Sequence, residues 1–117
     1  MIRATDDNIR LQTLIVTLAH LGPRISDALS ATWDDIDVKQ RTILLHGKGS
    51  KDRVLPIGGT LWKQVMKWKL AQKKIRLESK YWIDGPDYIF TSSYGAPWDA
   101  SAARKEFRPI AAQILPG

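Results

Sequence analysis

Arg24 follows Gly22-Pro23 and leads into Ile25-Ser26-Asp27-Ala28-Leu29; Lys48 lies between two glycines in His46-Gly47-Lys48-Gly49-Ser50-Lys51-Asp52-Arg53. A guanidinium at the mouth of a helix can hold two oxygens of a phosphoryl group side by side, which an ammonium does poorly. The helix N-terminus adds free N–H groups and the positive end of its dipole, and both favour an anion. A lysine flanked by glycines projects with little steric obstruction. Neighbouring cations make such an ammonium acidic enough to act as a general acid near neutral pH. Each segment also has a plainer reading. Arg24 can pair with Asp27 three residues on, a surface contact worth only ~0.3–0.5 kcal/mol. The Gly-Lys-Gly-Ser-Lys run is by itself a basic turn, and it is not a Walker A loop, because the first glycine and the spacing to Gly-Lys-Ser/Thr are missing.

The elements that must position these residues are legible from pattern. Asp6 to Leu21 reads as an amphipathic helix, with Leu11, Leu14, Ile15 and Leu18 on one face. Thr5 or Asp6 is suited to cap it, and Gly22 stops it. Pro23 fits the first turn of a second helix running to about Thr32 and burying Ile25, Ala28 and Leu29. Trp33 to Val38 reads as a turn entering a short strand, and Thr42–His46 and Arg53–Ile57 are two further strands joined by the Lys48 turn. Pro56 cannot donate to a ladder, so the third strand either lies at an edge or ends there. Thr60 is suited to cap a long helix to about Ser79, with Leu61, Val65, Trp68 and Ile75 as its apolar stripe. Tyr81 to Pro97 is loop-rich around Asp84-Gly85-Pro86, with a short apolar run at Tyr88-Ile89-Phe90. Asp99 opens a last helix that buries Ala103, Phe107, Ile110 and Ile114, kinked or split at Pro109. The fold class expected is α+β, mainly α: a helical domain with a small three-stranded antiparallel sheet.

The 117 residues suit one domain. No stretch approaches the roughly 18 apolar residues of a membrane span, and no signal-peptide core opens the chain. With no cysteine, disulfides and cysteine-ligated zinc are excluded. The expected location is cytoplasmic. The net charge of +6 is local: Trp62 to Lys80 holds Lys63, Lys67, Lys69, Lys73, Lys74, Arg76 and Lys80 against the single acid Glu78, and the remainder balances. A basic helix suits a polyanion such as the DNA backbone, though lysines on a solvated helix face need no partner at all.

The combination carries more than its parts. Gly-x-Arg-Ile-Ser-Asp-x-Leu, then Trp-x-Asp-Ile-Asp, then Gly-Lys-Gly-Ser-Lys-Asp-Arg-x-Leu-Pro-Ile, in this order and spacing, resembles the catalytic domain of the tyrosine recombinases, the phage integrase family. The likeness continues more weakly through Ile89-Phe90-Thr91 and the last helix. In that family a tyrosine attacks a scissile phosphodiester, leaving a 3′-phosphotyrosyl link and a free 5′-hydroxyl. The resemblance implies that Arg24 is the first of two arginines stabilising the pentavalent phosphate, and that Lys48 protonates the leaving 5′-oxygen. It implies that Asp27 supports the site from behind; an acid that merely complements a helix dipole accounts for Asp27 equally well. Lys51, Arg53, Lys63 and Lys67 are the expected contacts to backbone phosphates, although Lys51 and Arg53 fit equally a role as merely solvated side chains. No metal or other cofactor is implied.

The family's downstream residues are a His-x-x-Arg box and then the nucleophilic tyrosine, and these 117 residues contain neither in the required order. His20 stands four residues before Arg24 and ahead of Lys48, His46 reads as a strand residue that packs or faces solvent, and Tyr81, Tyr88 and Tyr94 all precede the place for the box. The expectation is a partial catalytic domain over residues 1–117, with no N-terminal DNA-clamping domain ahead of it, which binds double-stranded DNA without cutting it. It is expected to be a monomer in solution, because family members assemble on DNA through C-terminal segments. Two other functions fit the same residues: a standalone non-catalytic DNA-binding module, and a small interaction domain whose basic helix meets an acidic protein.

Overall fold

A computed structural model of the chain describes residues 4–47, 51–92 and 95–106. Helix α1 spans Ala4–Leu21, so Thr5 and Asp6 lie inside its first turn and do not precede it as caps. Its buried face is the expected one, with Leu14 wholly enclosed and Leu11 and Ile15 nearly so. Thr13 and Thr17 are buried on the same helix because their hydroxyls donate back to the carbonyls of Ile9 and Thr13, each at 2.7 Å. Gly22 closes α1 in the left-handed conformation, φ 67°, with its N–H on the Leu18 carbonyl at 3.0 Å.

Helix α2 is shorter than its sequence suggests, Ile25–Leu29, and Pro23 lies ahead of its cap residue Arg24, not in its first turn. The helix stops early because the chain is drawn into extended pairing. The Ala31 carbonyl accepts from Ile89 N–H at 3.0 Å, and Thr32 bridges Tyr88. A single 3-10 turn, Trp33–Asp35, follows, its start fixed by the Asp35 carboxylate, which accepts from the Thr32 N–H at 2.9 Å.

Strands β1 (Ile36–Asp37), β2 (Thr42–Leu45) and β3 (Arg53–Pro56) form an antiparallel sheet in sequence order. The register pairs Ile36 with Ile43, Leu45 with Arg53 and Thr42 with Pro56. Central β2 buries Ile43 and Leu45. Strand β3 is one of the two edges, where proline is tolerated, and it ends at Pro56. The β1–β2 turn depends on Arg41 at φ 52°, whose carbonyl accepts from Ile57 N–H at 2.8 Å and whose guanidinium lies 5.0 Å from the Trp62 ring centre.

Helix α3 spans Gly59–Glu78 and is capped by Gly58; Thr60 sits inside it. Its buried stripe is Leu61, Val65, Trp68, Gln72 and Ile75, alternating steps of four and three that keep one face inward. Helices α1 and α3 pack antiparallel. Gln64 donates to Thr13 Oγ1 at 3.0 Å, while Thr17, Leu21, Ile57 and Leu61 gather around one small cavity nearer the end of α1. Among the described residues beyond α3 there is no helix or strand before Asp99, whose carboxylate caps helix α4, residues 100–106, through Ala102 N–H at 3.0 Å. Ala103 is buried as expected; the positions proposed at Phe107, Pro109, Ile110 and Ile114 lie outside the described residues.

Two polar side chains, which apolar periodicity does not reveal, bind the irregular segment to the helices. Gln72 donates to the carbonyls of Tyr88 and Ile89, each at 3.1 Å, and to Thr91 Oγ1 at 2.8 Å, while accepting from the Trp33 indole N–H at 2.7 Å. Arg10 is buried. It donates to the Thr91 carbonyl at 3.0 Å and stacks 3.8 Å from the Trp98 ring centre.

Candidate functional site

Arg24 stands in an extended cap conformation, φ −70° and ψ 151°, between buried Pro23 and half-buried Ile25. Its backbone is fixed, since its carbonyl accepts from Ala28 N–H at 3.1 Å, while its side chain is exposed. The simple pairing with Asp27 does not form; among the described residues Arg24 enters no ion pair. Asp27 is half-buried in the first turn of α2, and its carbonyl accepts from Ser30 Oγ at 3.0 Å. With five residues, α2 has a weak dipole, so an anion here would be held mainly by the guanidinium.

Leu21 and Ala28, on either side of Arg24, line the same small cavity as Leu61. Lys63 stands two residues after Leu61 on α3, and Lys67 is one turn farther along the helix. Helical geometry separates the basic residues of α3 into two rows, not the single stripe that charge counting suggested. Lys63, Lys67 and Lys74 take the flank on the α1 side. Lys69, Lys73 and Arg76 take the opposite flank and line a groove of about 770 Å³ with Trp33 and Trp82. Two of these cations already face indoles, Lys69 at 5.3 Å from Trp33 and Arg76 at 5.4 Å from Trp82. Arg76 also meets Asp87 at 3.4 Å. Gly95 backs the other side of Trp82, in a position where a Cβ would sit 2.7 Å from Cε2.

Lys48 lies outside the described residues; Lys51 and Arg53, beyond it, are exposed. The base of their turn carries an arrangement the sequence reading missed. His46, just past β2, is half exposed, and its ring bonds to two carboxylates. Nε2 lies 3.2 Å from Asp35 Oδ1 and Nδ1 lies 3.3 Å from Asp52 Oδ1. The hydrogen bond to Asp35 holds the His46 pKa above its ordinary 6.5, helped by the charge of Asp35 and then by Asp52. Part of this was accessible in advance: a hairpin pairing Leu45 with Arg53 sets His46 opposite Asp52. Asp35 comes from a third segment and could not be found that way.

Among the described residues no group of three or more acidic or histidine side chains is arranged to hold a metal ion, and no helix is long and apolar enough to cross a membrane.

Comparison with known proteins agrees over most of the chain. The sequence profile of the phage integrase family matches residues 1–114. Tyrosine recombinase XerC of Bacillus pumilus is 32% identical over 88 residues, covering 75% of this chain and 28% of that protein. Tyrosine recombinase XerD of Mycobacterium leprae is 44% identical over 50 residues, covering 43% of this chain and 16% of that protein. The chain thus spans under a third of the length of these curated relatives. The crystal structure of XerA recombinase superimposes with a TM-score of 0.70 over 98% of this chain and 40% of that one, at 21% identity. XerH site-specific recombinase bound to difH substrate, in its pre-cleavage complex, gives a TM-score of 0.73 over 95% of this chain and 31% of that one, at 20% identity. At such identities the likeness establishes a shared fold.

Proposed function

The chain belongs to the phage integrase family, and on that premise we propose that it is the phosphate-gripping part of a tyrosine recombinase catalytic domain, binding double-stranded DNA. Arg24 grips the phosphate, Lys48 is the proton donor to a leaving 5′-oxygen, and Asp27 braces the Arg24 segment. Lys51, Arg53, Lys63 and Lys67 track the backbone. The observation that supports this reading is Arg24 itself: an exposed guanidinium on a fixed backbone, in no ion pair among the described residues.

These 117 residues hold no His-x-x-Arg box and no tyrosine after one, so the chain binds DNA without forming a covalent bond to it. It does so as a cytoplasmic monomer, without metal or other cofactor, as one partial catalytic domain. A suicide duplex that traps phosphotyrosyl intermediates tests this directly. No covalent adduct is expected, and an adduct would show that a tyrosine in this chain serves as nucleophile.

The groove of Lys69, Lys73 and Arg76 beside Trp33 and Trp82 supports a second reading, an interaction domain for an acidic protein. Lys69→Ala with Lys73→Ala separates the two. DNA affinity that survives this change but falls with Lys63→Ala and Lys67→Ala assigns DNA to the α1-side flank.

A further inference from the structure

Lys69, Lys73 and Leu77 follow one another at steps of four along α3, and all three line the groove beside Trp33 and Trp82. Steps of four keep them in one row, with a rise of about 6 Å from each to the next. All are exposed, Leu77 at 78%. Arg76, beside Leu77, is already engaged by Asp87 at 3.4 Å and by the Trp82 ring. Lys69 and Lys73 enter no ion pair among the described residues, and the Trp33 ring, 5.3 Å away, holds the Lys69 ammonium at the groove. The row thus presents two available positive charges followed by an apolar side chain, and Trp82 and Pro86 line the groove with that side chain.

An extended peptide sets every second side chain on one side, about 6.6–6.8 Å apart. Carboxylates at positions i and i+2 therefore fit Lys69 and Lys73, and an apolar side chain at i+4 falls on Leu77. Two other occupants fit less well. Asp84 and Asp87 also line the groove, so its three cations stand against two carboxylates. The phosphates of a nucleic acid strand would meet those acids, whereas a peptide offers them backbone N–H groups. A second copy docking through the same flank would set lysine against lysine.

We propose that this groove binds an extended acidic segment of a partner protein with the pattern acid-x-acid-x-apolar, Lys69 and Lys73 taking the carboxylates and Leu77 the apolar side chain. This rests on the reading of the chain as an interaction domain for an acidic protein, and it leaves Lys63 and Lys67 on the other flank of α3.

Fluorescence polarisation of a labelled peptide, Gly-Glu-Ala-Glu-Ala-Leu-Gly, titrated with the 117-residue chain tests the proposal. Lys69→Ala and Lys73→Ala should each weaken binding about two- to fivefold. A peptide with serine in place of its leucine should bind about tenfold more weakly. Lys69→Glu with Lys73→Glu should reject the acidic peptide and accept Gly-Lys-Ala-Lys-Ala-Leu-Gly, an exchange that a misfolded variant would not make. Lys63→Ala with Lys67→Ala should leave binding unchanged. The indole N–H signals of Trp33 and Trp82 should shift in NMR spectra as the peptide binds. No binding, or binding indifferent to Lys69 and Lys73, would overturn the proposal. A poly-glutamate peptide that binds through both lysines while the patterned peptide does not would also overturn it, and would leave the acidic-partner reading standing. Displacement of the peptide by single-stranded DNA, with shifts at the same two indoles, would reassign the groove to nucleic acid. Self-association of the free chain that Lys69→Glu with Lys73→Glu abolishes would assign it to a second copy.

Discussion

Replacing Gln72 with leucine should cost about 2–3 kcal/mol of folding stability, and the figure follows from the bonds that disappear. The substitution keeps the buried position on α3 and most of its volume. It removes the acceptor of the Trp33 indole N–H and the donors to Tyr88 O, Ile89 O and Thr91 Oγ1. Ile89 O retains the Trp68 indole N–H at 2.6 Å, so three groups, not four, lose a partner. At a net cost of about 1 kcal/mol each the loss is about 3 kcal/mol, offset by up to about 1 kcal/mol from the extra apolar burial of leucine. Against a total of roughly 5–15 kcal/mol this is a large fraction. Urea unfolding followed by tryptophan fluorescence should show the midpoint falling by about 1–2 M with the slope unchanged. Gln72→Glu should cost more than leucine at pH 7, because an ionised carboxylate donates nothing to two carbonyls and a hydroxyl. A loss below about 0.5 kcal/mol for Gln72→Leu would refute the reasoning, since such a change is typical of an exposed site whose groups simply turn to water.

Two further perturbations probe the frame around the site. Arg10→Met should lower stability by about 2–4 kcal/mol, combining a charge-assisted bond to Thr91 O with the stack on Trp98, and thermal unfolding measures it. The pH dependence of stability has a sign set by His46. Its folded pKa lies above the unfolded value, so its contribution is fully present below 6.5 and is lost as pH rises through the folded value. His46→Gln should remove that dependence from urea unfolding repeated across the pH range.

Most of the frame was legible from the sequence because its signals are local. The Leu11–Leu18 spacing, Gly22, the three β-rich runs and Asp99 each specify an element through bonds within a few residues. The errors came where distant chain decides. Helix α2 overran on paper because nothing near Ser30 says that Ala31 and Thr32 pair with Ile89 and Tyr88. Gln72 and Arg10 break the apolar pattern, and their hydrogen-bond partners lie 16 to 39 and 81 residues away respectively. In the candidate site, Arg24 was recognisable by its motif. The two rows on α3 required the helix to be placed against α1 and Trp33. The bond from His46 to Asp35 required the 3-10 turn to sit beside the hairpin.

The salt dependence of duplex DNA binding tests the central claim most directly. If Arg24, Lys51, Arg53, Lys63 and Lys67 meet phosphates, log K should fall with log salt at a slope of about −4.5, with roughly −0.9 for each contact. Arg24→Ala and Lys63→Ala should each reduce that slope by about 1. No binding at low salt, or a slope that none of these substitutions changes, would contradict the account.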